Sequence, residues 1–230
     1  MKRIGITLGD PAGIGPEIVR AALASGRLPA DAEYSVIGEP VDCSLGKPTK
    51  ETAHAALRAL EESVALARRG EIDAVVTGPI HKARMYEIGF AFPGQTEFFA
   101  DRCGVKNFAM LLTGGKLTVA LVTAHLPLRD VSAALKKDEI VRVGLLLADF
   151  LRRRRIAQPR IAVAGLNPHA GESGALGREE IETISPAIEE LQSAFRIPQS
   201  SPAPSRPTRF STMLPTAIGM AFSACITIKV

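Results

Sequence analysis

Two histidines stand in matching surroundings, and imidazole both titrates near neutrality and ligates metals. His169 lies in Gly165-Leu166-Asn167-Pro168-His169-Ala170-Gly171-Glu172, directly after the apolar run Ile161-Ala162-Val163-Ala164. His125 lies in Thr123-Ala124-His125-Leu126-Pro127-Leu128, directly after Leu117 to Val122. Both runs read as buried strands bounded by Gly, Asn and Pro. In open α/β sheets ligands bind at the carboxyl ends of strands. One histidine in a loop is ordinarily a surface residue. Two of them at strand ends, one sharing a Gly-rich turn with Asn167 and Glu172, make half of a metal site, because a catalytic metal normally takes three protein ligands.

Other polar turns follow the same plan. Thr77-Gly78-Pro79-Ile80-His81-Lys82 ends the strand Ala74-Val75-Val76 and offers Lys82 either to an anionic group or to solvent. The sequence identifies no partner for His81, and His54 reads as an ordinary surface residue of a helix. Gly9-Asp10-Pro11-Ala12-Gly13-Ile14-Gly15-Pro16-Glu17 joins a strand to a helix. Such a turn can seat a phosphate on free amide groups, or it is a tight turn and nothing more. Its spacing is neither GxGxxG nor a P-loop.

The elements that must position these residues alternate in type. Strands are expected at Ile4–Leu8, Ser35–Gly38, Ala74–Val76 and Ile161–Ala164, with a hairpin of Leu111–Thr113 and Leu117–Val122 turning at Gly114-Gly115. Helices are expected over Pro16–Ala24, Glu51–Arg69, from Gly94 onward, over Val131–Arg155, and from Gly177 to about Phe195. Val41–Lys50 reads as a loop. Strands alternating with helices give an α/β fold. Its expected divisions are residues 1–90 as a first lobe, residues 91–197 as a second lobe carrying the metal-binding histidines, and residues 198–230 as a tail that is disordered or poorly fitted.

Composition narrows the classes. The 230 residues are 46% hydrophobic, enough for one sizeable core or two small lobes. The net charge of +4 owes much to Arg152-Arg153-Arg154-Arg155. That run reads as the cationic last turn of an amphipathic helix; a nucleic-acid patch is the other reading, without the interleaved aromatics that would support it. Cys43, Cys103 and Cys225 form no CxxC pair and suit a reducing cytoplasm. No signal core opens the chain and no apolar run is long enough to span a bilayer. A cytoplasmic protein without nucleic-acid or membrane partners is expected.

In order, the motifs Thr7 to Glu17, Thr77-Gly78-Pro79 with Lys82, Gly94 to Phe98, Thr123 to Leu128 and Gly165 to Glu172 resemble those of the 4-hydroxythreonine-4-phosphate dehydrogenase family, over Met1 to about Ile197. The resemblance implies a two-lobed fold like that of isocitrate and isopropylmalate dehydrogenases, in a homodimer whose active site is shared. It implies oxidation of 4-phosphohydroxy-L-threonine at C3 by NAD or NADP, then decarboxylation to 3-amino-2-oxopropyl phosphate, in vitamin B6 biosynthesis. In that chemistry a divalent ion (zinc, magnesium or cobalt) on the hydroxyl and carboxylate lowers the alcohol's pKa. His125 and His169 would be two of its ligands, and Gln95 and Thr96 would touch substrate. Gln95 departs from the family's His-Thr pair, and an amide cannot titrate near neutrality. A sister dehydrogenase acting on a phosphorylated sugar acid such as 4-phospho-threonate, or an inactive truncated remnant, are the alternatives.

The family's third metal histidine, in a Tyr-His-Asp-Gln-Gly motif, has no counterpart after His169, so the chain as it stands is expected to be inactive. Instead Gln199 to Pro207 is nearly all Ser, Pro, Ala, Arg and Gln. A frameshift accounts for this. Ala224 to Val230 can be encoded GCA TGT ATC ACG ATC AAG GTN, which from the third nucleotide reads Met-Tyr-His-Asp-Gln-Gly. With suitable codons, Pro202 to Thr212 in the same offset reads Gly-Pro-Leu-Pro-Ala-Asp-Thr-Val-Phe-His, another family segment.

Overall fold

The computed structural model describes residues 1–114, 117–196, 209–213 and 225–229. The chain forms two compact units, Met1–Val105 and Lys106–Val230.

In the first unit, β1 (Lys2–Thr7) lies between β2 (Ala32–Ile37) and β3 (Ala74–Thr77). Both pairings are parallel. Parallel neighbours need crossovers, and helices supply them. The first is α1 (Gly15–Ala24), with Pro16 in its first turn. The second is α2 (Lys50–Arg68), which Thr49 caps reciprocally with Thr52. Apolar residues at helical spacing on α2 then bury Ala53, Ala56, Leu60 and Val64 against Met85, Phe90 and Phe98.

Phe98 also explains why the units divide at 105/106 and not at 90/91. It sits on α4 (Gln95–Arg102), is fully buried, and meets Phe90, Phe92 and Phe99 at ring separations of 5.4 to 5.6 Å. Arg102 closes the group over Phe92 and Phe98 at 5.5 and 5.1 Å. Gln95 and Thr96 therefore belong to the first unit. One helix escaped the sequence reading: α3 (Lys82–Glu87), whose N-cap is His81, its Nδ1 accepting from the Arg84 amide at 3.3 Å. A short amphipathic stretch between two loops gives too few turns for a readable period.

The second unit carries a five-stranded mixed sheet in the order β4 (Leu111–Gly114), β5 (Leu117–Leu121), β8 (Cys225–Lys229), β6 (Arg160–Ala164), β7 (Arg209–Met213). The hairpin of β4 (Leu111–Gly114) and β5 (Leu117–Leu121) pairs Leu111 with Ala120 and Gly114 with Leu117, though its turn at Gly115 falls outside the described residues. Next comes β6 (Arg160–Ala164), parallel to β7 (Arg209–Met213) and antiparallel to β8 (Cys225–Lys229). The expectation of a disordered or poorly fitted 198–230 lies mostly outside the described residues. The two segments that are described are these strands.

The helix expected over 131–155 is broken. A 3-10 turn at Leu128–Asp130 leads into α5 (Val131–Ala134), and α6 (Lys137–Arg153) starts anew after Leu135 and Lys136 turn extended. Asp138 and Glu139 in the new first turn and Arg152 and Arg153 in the last suit the helix dipole at both ends. The arginine run serves local contacts: Arg152 lies over Phe195 at 4.8 Å and Arg153 pairs with Asp149 at 2.9 Å. The last helix starts as a π-helical turn at Glu180–Ile184 before α7 (Ser185–Arg196). Leu147, Leu151, Ile161, Val163, Ile184 and Leu191 make the core here.

Candidate functional site

In the first unit the Gly-rich turn after β1 is packed by backbone. A Cβ on Gly15 would stand 1.9 Å from the Leu8 carbonyl oxygen, and one on Gly78 would stand 2.5 Å from the same atom. The glycines let the turns after β1 and β3 touch. Asp10 caps it, with Oδ1 accepting from the Ala12 amide at 2.9 Å. Its Oδ2 is buried without a hydrogen-bond partner among the described residues.

Gln95 reaches back to the same place. Its Nε2 donates to the Gly78 carbonyl at 3.2 Å, while its Oε1 is buried and unpartnered among the described residues. One N–H of that amide is committed, so Gln95 can still offer a ligand its unmet acceptor and a second N–H. Thr96, the next residue of α4, is partly buried. Lys82 stands exposed in the first turn of α3.

In the second unit His125 follows β5 and His169 follows β6, as expected from sequence. Both rings are exposed, His169 with 73% of its side chain accessible and its Nδ1 3.6 Å from Glu172 Oε1, outside hydrogen-bond range. No residue pattern warns of the backbone here. His125 has φ of 58°. His169, Ala170, Gly171, Glu172 and Ser173 have φ of 51°, 52°, 79°, 42° and 57°, a full left-handed turn. For residues other than glycine that conformation costs roughly 1–2 kcal/mol each. Such strain persists only where surroundings over-determine it, and it gathers at functional sites.

Two carboxylates bind the chain just ahead of this turn. Glu180, 5% exposed, accepts from the amides of Leu166 and Asn167 at 2.8 and 2.7 Å with Oε1, and from Asn167 Nδ2 at 2.9 Å with Oε2. Glu179 accepts from Asn167 Nδ2 at 2.7 Å and from the Ser132 hydroxyl. These bonds, Ser132 first and then Asn167, hold the Glu179 carboxyl below its ordinary 4.5. Neither glutamate's role was legible in the sequence, although Gly177-Arg178-Glu179-Glu180 stands close after the loop. Thr123, two residues before His125, buries its Oγ1 without a partner among the described residues.

A divalent ion is the group the histidines suggest. Among the described residues no cluster of three or more His, Cys, Asp or Glu side chains is placed to hold a metal. Two imidazoles fall one donor short of a catalytic site, so the described donor set does not fit, and no chemical step is assigned to a metal. Among those residues no helix is long and apolar enough to cross a membrane.

The family model for pyridoxal phosphate biosynthetic protein PdxA matches residues 17–212. The chain is 41% identical over 231 residues to the 4-hydroxythreonine-4-phosphate dehydrogenase of Zymomonas mobilis, covering 84% of this chain and 69% of that one. It is 35% identical over 243 residues to that of Vibrio vulnificus, covering 89% and 74%. The crystal structure of the Klebsiella pneumoniae 4-hydroxythreonine-4-phosphate dehydrogenase superposes with a TM-score of 0.69 at 32% identity, covering 84% and 73%. A terephthalate 1,2-cis-dihydrodiol dehydrogenase from Burkholderia xenovorans superposes with a TM-score of 0.56 at 25% identity, covering 84% and 71%.

Proposed function

The chain belongs to the pyridoxal phosphate biosynthetic protein PdxA family, and on that premise we propose that its site serves oxidation of 4-phosphohydroxy-L-threonine at C3, a step of vitamin B6 biosynthesis. The C3 alcohol becomes a ketone, its hydride passes to NAD or NADP, and its hydroxyl proton is released. The resulting β-keto acid loses its carboxylate as CO2, leaving 3-amino-2-oxopropyl phosphate. The observation that carries this reading is the pair of histidines at successive strand ends, both held at positive φ.

Within it, Gln95 presents Oε1 to an O–H or N–H of the substrate, with Thr96 beside it. By the family resemblance His125 and His169 would be two imidazole donors of a divalent site (zinc, magnesium or cobalt), and no third histidine follows His169. A two-lobed chain of the isocitrate dehydrogenase type, in a homodimer with a shared site, completes the reading.

A second reading has its own support. The fold also carries a dihydrodiol dehydrogenase, and Gln95 replaces a titratable histidine of the resembled motif. A sister enzyme oxidising 4-phospho-threonate fits the same groups. Nicotinamide absorbance separates the two, with both substrates offered with either cofactor and each metal, to the chain and to a frame-corrected version. Faster turnover of 4-phospho-threonate selects the second reading; oxidation of neither substrate by either version rejects both.

A further inference from the structure

Glu179 and Glu180 are adjacent in sequence yet between them bond to two separate stretches of chain, Leu166-Asn167 and the helix carrying Ser132. Glu180 collects the amides of Leu166 and Asn167 and the Asn167 side chain, so its two oxygens are met by N–H donors just ahead of His169. Glu179 shares the Asn167 Nδ2 and takes the hydroxyl of Ser132. Ser132 belongs to α5, which follows the His125 turn after only the short 3-10 turn at Leu128–Asp130.

The space for these contacts is cut by two glycines. A Cβ on Gly177 would stand 2.4 Å from Asn167 Nδ2 and 2.7 Å from Glu179 Oε2. A Cβ on Gly171 would stand 2.9 Å from Glu180 Oε2. The donor arithmetic also requires a carboxylate at 180. Three N–H groups converge on it, and a glutamine would turn one amide donor against another.

We propose that Glu179 and Glu180 act as one positioning pair: Glu180 holds the His169 turn left-handed, and Glu179 ties that turn to the segment carrying His125. The proposal rests on the reading of both histidines as site residues.

The test is NMR of the full chain with Glu180→Ala, Glu180→Gln and Glu179→Ala, and Glu189→Ala on the exposed face of α7 as control. In Glu180→Ala the chemical-shift and coupling signature of positive φ at His169 and Ala170 is lost. Amide exchange at Leu166 and Asn167 rises about tenfold or more relative to Val163, as expected on losing a hydrogen bond to a charged acceptor. Glu180→Gln keeps one acceptor oxygen and retains part of the signature. Glu179→Ala moves the ring resonances of both His125 and His169, and Glu189→Ala moves neither.

An unchanged signature in Glu180→Ala overturns the proposal. So does an exchange increase spread evenly through β6, which is what loss of fold stability alone would give. So does Glu179→Ala moving one ring only. If Glu180→Ala does not fold, Glu180→Gln and Glu179→Ala decide by the same signals. Titration with Co2+ separates this from the functional reading. Signatures that respond as expected in a chain whose histidines ignore Co2+ support the pair and count against the metal role. Co2+ bound by both rings with signatures that ignore the variants removes the pair alone.

Discussion

A left-handed turn in which four of five residues carry side chains is the costliest piece of backbone near the candidate site, and it gives the sharpest single-residue tests. Ala170 holds its half-buried methyl group at φ of 52°. Glycine there relieves local strain at some cost in unfolded-chain entropy, so Ala170→Gly should raise unfolding free energy by roughly 0.5–1 kcal/mol in urea titrations. An unchanged or lower midpoint would show the turn to be unstrained. Gly177→Ala runs the other way. Gly177 itself stands at φ of 134° and its new Cβ displaces Asn167, so a loss of roughly 1–3 kcal/mol is expected, with Asn167 amide exchange accelerating with it. The histidines, Asn167 and the strands before them could be read from sequence because strand-end polar turns have a linear signature. The left-handed backbone could not, since Ala, Glu and Ser have no preference for it. The bracing glutamates could not either: they lie 12 to 14 residues from their Asn167 and Leu166 partners, with no period connecting them.

Between elements, side chains fix registers that the hydrophobic pattern leaves loose. Asp73, just before β3, takes both the side chain and the backbone amide of Arg3 in β1, at 3.1 and 2.8 Å. Those bonds, the guanidinium first, push its carboxyl down from 3.8 to about 2. A depressed folded-state pKa stabilises fully above the unfolded value, so this contribution is present above 3.8 and lost as pH falls toward 2. An NMR titration should place the Asp73 midpoint near 2, and Arg3→Ala should return it toward 3.8; a midpoint already at 3.8 in the unaltered chain would dismiss the contact. Packing governs the rest of this unit. Leu60 is fully enclosed by α2's neighbours, so Leu60→Ala should cost roughly 2–5 kcal/mol in denaturant titrations. Most elements were legible from apolar spacing. The break after Ala134 was not, because Leu135 continues the helical period while its backbone has already turned extended. β8 was missed for a related reason: Ile226 and Ile228 alternate with Thr227 and Lys229, but five residues among prolines and serines are a faint period-two signal.

At the scale of the whole chain, the segment after Pro198 differs in kind from what precedes it. Ser, Pro, Ala, Arg and Gln crowd Gln199 to Pro207, whereas the rest of the chain is locally consistent with its fold, as selected sequences are. A shift of reading frame explains the change economically. With suitable codons, one offset reads Pro202 to Thr212 as Gly-Pro-Leu-Pro-Ala-Asp-Thr-Val-Phe-His and Ala224 to Val230 as Met-Tyr-His-Asp-Gln-Gly. Either match alone could come from freedom in choosing codons; two in one frame and in family order constrain each other. The idea also bears on the missing donor, since the second segment supplies the histidine that His125 and His169 lack. Sequencing the gene should show both segments in the offset frame after the codon for Pro198, and their absence there would end the proposal. If they are present, restoring the frame should restore divalent-metal binding and substrate oxidation together. His169→Ala in the restored protein should then abolish both, because two donors out of three do not make a catalytic site.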